Sequence, residues 1–234
     1  MELRATILSD RRRDPSAGAR PGLRTGERVL AVEPDGEGVT VRLADRAVRV
    51  RRAVVAAGPW LAQLADVPLT PHRVVMTWFS ARDGRDASID RMPVFIRSAP
   101  GAGQWVWGHG ALPGDLAKVG PELDGPFEPD DPDAIDRTVR AGETDGIAAL
   151  VAATFPDLEP EPAETTTCIM AHTPDGQFLV GPADASGRVV VAGGCSGHSF
   201  KHAAALGELA AQLAVDEPPF TDIGFLDPRR FAAA

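Results

Sequence analysis

Hydrophobic and polar residues alternate over short stretches in the first part of the chain. These stretches are residues 28–32, 39–43 and 48–50. The alternation and the polar turn at residues 34–36 predict short antiparallel strands. The next run, residues 53–57, is apolar without alternation and ends at Gly58, which predicts a strand that is buried on both faces. A short helix is expected at residues 60–64.

The middle of the chain predicts a second group of strands and one helix. The strand-like stretches are residues 73–79, 94–96 and 104–107. Two segments rich in Pro, Asp and Glu, at residues 121–134 and 155–166, predict surface loops. They bracket a helix that is expected at about residues 134–153.

The last part of the chain has the clearest pattern. Strand-like residues 178–180 and 189–192 are followed by Gly193 and Gly194, and apolar residues at three- and four-residue steps then predict a helix over residues 200–213. A buried strand, a glycine turn and a helix start can direct backbone N–H groups at a polar cofactor atom. Because an ordinary strand-helix connection has the same pattern, the pattern alone does not decide between the two.

The charge of the chain argues against nucleic acid as a partner. The 24 basic residues are outnumbered by 33 acidic ones, and the net charge of −9 repels phosphate backbones. The basic run at residues 11–13 has no interleaved aromatic residue and is expected to be solvated. The sequence has no apolar run of about 18 residues and no signal-peptide pattern, so no membrane association and a cytoplasmic location are expected.

Lysine is rare in this chain. Only Lys118 and Lys201 are lysines, and the other 22 basic residues are arginines. A lysine in such a sequence can mark a place that needs a compact ammonium group. The plainer interpretation is that the composition favours arginine and that these two lysines remain by chance.

Three segments resemble one family of flavoenzymes. They are RRAVVAAGPWLAQL (51–64), TTTCIMAHTPDGQFLVGP (165–182) and VVVAGGCSGHSFKHAAALGELAAQLAV (189–215). In this order they resemble the monomeric sarcosine oxidase and N-methyltryptophan oxidase family of the D-amino-acid-oxidase-like superfamily. The resemblance covers about residues 22–220, and it implies FAD as the cofactor and a small-molecule amine as the substrate.

The resemblance also implies roles for particular residues. The AGPW turn matches a family turn that packs against the flavin, and Cys168, five residues before Thr-Pro-Asp, matches a cysteine that carries FAD through a thioether bond. Lys118, ten residues after Gly108, matches a lysine that lies over the flavin. The SGHSFK turn matches one that touches the isoalloxazine and supplies a substrate-binding lysine. The implied catalytic residues are Lys118, Lys201 and His198, and the implied cofactor-binding residues are Gly58, Trp60, Cys168, Gly194, Ser196, Gly197 and His198.

The chemistry of these side chains fits the implied roles. A thiolate near an electron-poor ring is the nucleophile that covalent attachment through Cys168 requires. Lys201 would pair with a substrate carboxylate, and Lys118 would stabilise negative charge that develops on oxygen. Plainer alternatives stay open for each residue. They are a buried structural thiol for Cys168, a solvated helix lysine for Lys201, a loop cation for Lys118 and a turn histidine for His198. His202 is expected to point elsewhere. The remaining histidines, His72, His109 and His172, are expected to be structural.

A zinc site is the rival interpretation of four of these residues. Cys168, His172, Cys195 and His198 have side chains that suit zinc. Their spacing argues against it, because structural zinc usually takes its ligands as close pairs on tight turns. We therefore expect no metal.

The chain departs from the family pattern in three places. It contains no G-x-G-x-x-G, although the family carries this fingerprint near its N-terminus to hold the FAD pyrophosphate. We therefore expect the sequence to lack that N-terminal unit. The chain alone is expected to bind FAD weakly or to aggregate, unless a partner chain supplies the missing unit. Met170 replaces an aromatic hydroxyl and Glu122 replaces a histidine, so the resemblance leaves the amine open.

The expected fold class is α/β plus antiparallel β. A partial glutathione-reductase-like FAD-binding domain, formed by residues 1–66 and 168–234, would be interrupted by an antiparallel-sheet substrate domain at residues 67–167. The expected function is FAD-dependent oxidation of a secondary amine, such as an N-methyl amino acid, to an imine, with oxygen as acceptor and hydrogen peroxide as product. A non-catalytic remnant or a subunit that completes a partner's flavin site is one alternative. A flavin dehydrogenase that passes electrons to a carrier is the other.

Overall fold

The chain divides into two compact units. The computed structural model describes residues 24–99, 103–122 and 128–231. Unit 1 is Met1–His72 with Met170–Ala234, and unit 2 is Arg73–Ile169. The domain boundaries predicted from the sequence lie within six residues of the boundaries between these units. The assignment of the units as flavin-binding and substrate domains stays a prediction. The basic run at 11–13 and part of the loop expected at 121–134 lie outside the described residues.

The described strands and helices follow one another in a fixed order along the chain. The strands are β1 Val29–Pro34, β2 Val39–Leu43, β3 Ala47–Val50, β4 Ala53–Val55, β5 Thr70–Phe79, β6 Phe95–Ser98, β7 Trp105–His109, β8 Ala117–Pro121, β9 Glu164–His172, β10 Leu179–Pro182 and β11 Val189–Gly193. The α-helices are α1 Leu61–Leu64, α2 Asp145–Thr154 and α3 Ala203–Val215. Short 3₁₀-helices span Gly58–Trp60, Phe200–His202, Gly224–Leu226 and Pro228–Phe231.

The first sheet of unit 1 is antiparallel, as the alternation of the sequence predicts. Its strand order is β1-β2-β3. Val39, Val41 and Leu43 of the central strand are buried, because alternate side chains of a strand lie on one face. The turn between β1 and β2 is held by Asp35, whose Oδ1 accepts hydrogen bonds from the N–H groups of Glu37 and Gly38 at 3.1 Å each.

The second sheet of unit 1 contains a parallel pair of strands. Its order is β10-β11-β4, with β11 antiparallel to β10 and parallel to β4. Val189, Val190 and Val191 of β11 are all buried, which is the burial expected of a central strand. In β4 only Val55 is buried, so the expectation of a strand buried on both faces is wrong for its first two residues. Within the described residues β4 pairs with β11 alone, so one edge of the strand has no neighbour there.

Unit 2 is built around a five-stranded sheet with the order β6-β7-β8-β5-β9. One face of the sheet is covered by α2, which places Ile147, Leu150 and Val151 in a core with buried residues of the strands. The strand residues of this core include Phe79, Val106, Ala117 and Val119. Burial of these side chains away from water is the main stabilisation of the unit.

The helix of unit 2 begins later than the sequence predicts. A helix was expected at residues 134–153, whereas α2 is Asp145–Thr154. Gly142 has a φ of 86°, which a right-handed helix does not allow. Upstream, the Asp136 carboxylate accepts a 2.9 Å hydrogen bond from the N–H of Thr138, and such local side-chain bonds compete with helix formation.

Two strands of this sheet fall where the sequence suggested none. β8 contains a glycine and a proline, and it lacks a clear alternation. β9 begins at Glu164, inside the segment interpreted as a loop. Its three consecutive threonines favour a strand, but the acidic, proline-rich residues before them obscured that signal.

An ion pair between Arg230 and Asp175 joins the last described segment of the chain to the connection between β9 and β10. Arg230 donates to both oxygens of Asp175, at 2.8 Å and 2.9 Å. This hydrogen-bonded guanidinium lowers the pKa of Asp175 to about 2. A carboxylate whose pKa is lower in the folded state stabilises the fold above its unfolded-state pKa, and this contribution is lost as the pH falls towards the folded-state value.

We expect Arg230→Gln to destabilise the protein at pH 7 but not at pH 2. Because the Asp175 side chain is 38% exposed, solvent screening reduces the expected loss to roughly 1 kcal/mol. Urea denaturation of both proteins at pH 7, 4 and 2 measures the difference, which should shrink between pH 4 and pH 2. Arg42→Gln, which removes the exposed pair with Glu33, is the matched control and should change stability by less than about 0.5 kcal/mol. A constant difference across this pH range would contradict the assignment.

Candidate functional site

A strand-turn-helix segment of unit 1 carries most of the residues that the sequence singles out. After β11, the chain turns through Gly194, Ser196 and Gly197, which all have positive φ angles, of 64°, 44° and 81°. Gly194 is required by space as well as by conformation. A Cβ atom there would lie 2.7 Å from Cγ2 of Thr173, which is closer than two carbon atoms approach.

Ser196 is held in a conformation that non-glycine residues seldom adopt. Its N–H donates to the carbonyl oxygen of Ala171 at 3.0 Å. Its hydroxyl donates to the carbonyl of Gly194 at 3.2 Å and accepts from the N–H of Thr173 at 3.4 Å. A positive φ costs an L-residue about 1–2 kcal/mol, and these bonds to residues 171–173 offset that cost. The turn is therefore fixed against the end of β9.

Backbone N–H groups of this turn point to a place without an acceptor among the described residues. Within the described part of the chain, the N–H groups of Cys195 and Gly197 make no hydrogen bond, whereas that of Ser196 does. Cys195 is half-buried, where N–H groups normally find a partner, whereas Gly197 is exposed. Free donors at a turn between a strand and a helix suit a polar ring edge or an anionic group.

Histidine and phenylalanine rings pack beneath the turn. The Nδ1 atom of His198 lies 2.8 Å from the carbonyl oxygen of Ser196. Its ring centroid is 4.8 Å from that of Phe178, and the ring of His202 is 5.5 Å from the same phenylalanine. The expectation that His202 points elsewhere is therefore wrong, because the 3₁₀ turn Phe200–His202 brings both histidines onto one ring.

Burial and two neighbouring histidines favour the neutral form of His172, at the end of β9. The rings of His72 and His172 lie 4.7 Å apart. Burial lowers the pKa of His172, and the nearby His72 and His198 lower it further. A neutral ring at this position leaves the adjacent turn without an added positive charge at neutral pH.

Lys201 and its neighbour Phe200 lie at the start of the helix and are exposed. Phe200 is 94% exposed. Within the described residues, the Lys201 ammonium has no hydrogen bond or ion pair with the protein. The side chain is thus accessible to a ligand and equally to solvent, and its predicted role at the site stays a prediction.

The second turn that the sequence singles out follows β4. Gly58 has a φ of 54° and no atom within 4 Å of a Cβ placed on it. Trp60 is only 6% exposed and packs in the protein. Since β4 and β11 are parallel, the turns at Gly58 and Gly194 lie at the same edge of their sheet, which is where ligands bind in sheets of this kind.

Lys118 and Cys168 lie in the sheet of unit 2. Lys118 is on β8 and Cys168 is on β9, with β5 between them, so two strand spacings, about 10 Å, separate the strands. The Cys168 side chain is exposed. The Lys118 ammonium lies 5.0 Å from the ring centroid of Trp78 and 5.5 Å from that of Trp107. Neither tryptophan was predicted as a site residue.

The two departures from the family pattern have defined surroundings. The Met170 sulfur would lie 3.5 Å from a Cβ on Gly197, so this side chain borders the turn. Glu122 follows β8, and its N–H donates to the carbonyl oxygen of Trp105 at 2.7 Å. Met170 therefore replaces a hydroxyl with an apolar sulfur side chain beside the predicted site.

The described residues contain neither a cluster of metal ligands nor a membrane-spanning helix. No group of three or more His, Cys, Asp or Glu side chains in this part of the chain is arranged to hold a metal ion. No helix among the same residues combines the length and the hydropathy needed to cross a membrane.

Comparison with known proteins gives a consistent match. Residues 17–213 match the family described as FAD-dependent oxidoreductases, DAO. Monomeric sarcosine oxidase of Streptomyces avermitilis is 36% identical over 210 residues, which cover 86% of this chain and 54% of that protein. N-methyl-L-tryptophan oxidase of Escherichia coli is 30% identical over 204 residues, covering 83% and 52%. The chain spans about half the length of the curated relatives it matches.

Solved structures agree with the sequence matches. NikD, described as an unusual amino acid oxidase essential for nikkomycin biosynthesis, has a TM-score of 0.71 and 26% identity, covering 88% of this chain and 55% of that one. Glycine oxidase from Geobacillus kaustophilus has a TM-score of 0.68 at 20% identity, covering 88% and 53%, which is a likeness of fold. These matches confirm the predicted fold class, and the family description confirms FAD as the predicted cofactor.

We expect the two turn glycines to respond differently to alanine. Gly194→Ala combines an unfavourable φ with a steric overlap and should cost about 3 kcal/mol of stability. Gly58→Ala, the matched control, has the unfavourable φ without the overlap and should cost about 1 kcal/mol. Urea denaturation monitored by tryptophan fluorescence measures both losses. Equal losses would contradict the packing described around Gly194.

Proposed function

The chain belongs to the family of FAD-dependent oxidoreductases, and from this premise we propose that it serves in the oxidation of a secondary amine such as an N-methyl amino acid. The observation that carries the proposal is the family match over residues 17–213. Two relatives of named activity, a sarcosine oxidase and an N-methyl-L-tryptophan oxidase, support the substrate class. Both names describe enzymes that act on N-methylated amino acids.

The residues of unit 1 fit the polar edge of FAD. The free N–H groups of Cys195 and Gly197 are donors of the kind that a ring carbonyl or nitrogen accepts. At Gly58, the absence of a side chain leaves room for a close approach of backbone to ligand. We propose that these two turns hold the cofactor, together with Gly194, Ser196, His198 and Trp60. FAD, when bound, supplies the acceptor for two electrons.

The two lysines have separate proposed tasks. Lys201 pairs with the carboxylate of the amino acid, because its ammonium is exposed and free of protein carboxylates among the described residues. Lys118 stabilises negative charge that develops when oxygen is reduced. In the overall reaction, the amine loses two electrons and two protons to become an imine, and oxygen gains them to become hydrogen peroxide. Water then hydrolyses the imine.

Cys168 is the proposed point of covalent attachment. Its side chain is exposed on β9, so a ligand ring can reach the sulfur. Thioether formation replaces an S–H bond and a C–H bond by one S–C bond and releases two electrons and two protons, which oxygen accepts. A thiolate is the reactive form in this step.

We expect the FAD-loaded protein to be bleached by N-methyl amino acids. Under anaerobic conditions, sarcosine and larger N-methyl amino acids are added and the flavin absorbance is followed. Oxygen is then admitted, and the colour should return with the release of hydrogen peroxide. If FAD is bound and no secondary amine bleaches it, the proposed amine oxidation is wrong.

Two variants separate the tasks of the lysines in the same assay. Lys118→Met should leave the anaerobic bleaching unchanged and slow the return of colour by about 100-fold, since removal of one stabilising charge typically costs that much. Lys201→Met should raise the amine concentration needed for bleaching. If Lys118→Met returns to colour at the normal rate, oxygen is not activated by this lysine.

We also expect the yellow colour to stay with the protein after denaturation in acid. Covalent attachment through Cys168 predicts that the pellet is yellow and that Cys168→Ala gives a colourless pellet with a yellow supernatant. Cys195→Ala is the matched control, because it removes the other cysteine and should leave the pellet yellow. A yellow pellet from Cys168→Ala would contradict attachment at this sulfur.

A further inference from the structure

Lys118 lies in the middle of an aromatic face of the unit 2 sheet. It is on the central strand β8, directly opposite Trp78 of β5 on one side and His109 of β7 on the other. Trp107, two residues before His109, has its side chain on the same face of β7. The ammonium group is thus flanked by two indole rings, at 5.0 Å and 5.5 Å from their centroids.

The ammonium has no carboxylate partner in the described part of the chain. No hydrogen bond or ion pair there holds the Lys118 side chain, although acidic residues outnumber basic ones by 33 to 24 in the sequence. The faces of the two indoles attract the cation through the ring quadrupole. Unlike a carboxylate, an indole orients the charge without neutralising it.

The position of the Trp107 ring is itself fixed by two contacts. Its Nε1–H donates to the carbonyl oxygen of Pro121 at 3.0 Å. The ring also lies against the backbone of Gly120, where a Cβ atom would come within 2.6 Å of Cζ2. Gly120 is two residues from Lys118 on the same strand, so the glycine makes the space in which the ring approaches the ammonium.

We infer that Trp78 and Trp107 are positioning residues that hold the Lys118 ammonium between their rings, with no carboxylate beside it among the described residues, on the face of the sheet opposite α2. The role of the Lys118 ammonium in the reduction of oxygen rests on the proposed function. A charge that is fixed before the reaction acts on a developing anion without reorganisation. A carboxylate in place of either indole would orient the lysine and cancel its field.

The scarcity of lysine allows a direct test in the full chain. Reductive methylation with ¹³C-formaldehyde converts Lys118 and Lys201 to dimethyl-lysines that keep their positive charge, and each gives one methyl signal. Lys118→Arg and Lys201→Arg assign the two signals. Ring currents of the two indoles should shift the Lys118 signal upfield of the exposed Lys201 signal.

Substitutions of the ring residues then decide the inference. Trp107→Leu and Trp78→Leu should each move the Lys118 signal towards that of Lys201, while Trp107→Phe, which restores an aromatic face, should recover part of the shift. Gly120→Ala should displace the ring and act like Trp107→Leu. Trp105→Leu is the matched control on the same strand, and it should leave both signals in place.

Two outcomes would overturn the inference. One is a Lys118 signal that coincides with that of Lys201 in the unsubstituted protein. The other is a shift that survives both Trp107→Leu and Trp78→Leu. Because the NMR signal does not depend on turnover, it tests the position of the lysine even if the protein oxidises no amine. Conversely, a confirmed shift with a normal oxygen rate in Lys118→Met would overturn the proposed role of Lys118 alone.

Discussion

The parallel pairing of β4 with β11 is the contact on which the rest of unit 1 depends. It joins Ala53, Val54 and Val55 to Val189, Val190 and Val191, residues that are 136 positions apart in the chain. Since parallel strands end at the same edge of a sheet, this pairing brings the turns after both strands to one place. The turn that contains Gly194 and Ser196 follows β11 and lies at that shared edge. The entropy of closing so long a loop is recovered through the burial of β11.

Much of unit 1 could be predicted from local patterns. Alternating residues in β1, β2 and β3 and the glycine turn after β11 are signals carried by a few neighbouring residues, so the sequence alone reveals them. The same holds for Gly194, because a glycine between a buried strand and a helix usually marks a conformation or a close approach. The identity of its neighbour, Thr173, could not be read in this way. In the sequence, Thr173 is notable only because it lies five residues after Cys168.

Unit 2 was predicted less well, because its organisation depends on contacts between distant residues. β8 has a weak pattern of its own, and its place in the centre of the sheet is set by pairing with β5 and β7. The contact between Trp78 and Lys118 joins residues 40 positions apart. A local signal existed in the tryptophans at 105 and 107, which share one face of a strand, but nothing nearby indicates which residue they face. The late start of α2 had a visible cause in Gly142, which sequence reasoning passed over.

The ion pair between Arg230 and Asp175 is connected to the turn at residues 194–197 by a short series of hydrogen bonds. Arg230 holds Asp175, Asp175 accepts from the hydroxyl of Thr173 at 3.2 Å, and the N–H of Thr173 donates to Ser196. Loss of the Arg230 side chain, by substitution or by cleavage before it, therefore removes one support of the turn at residues 194–197.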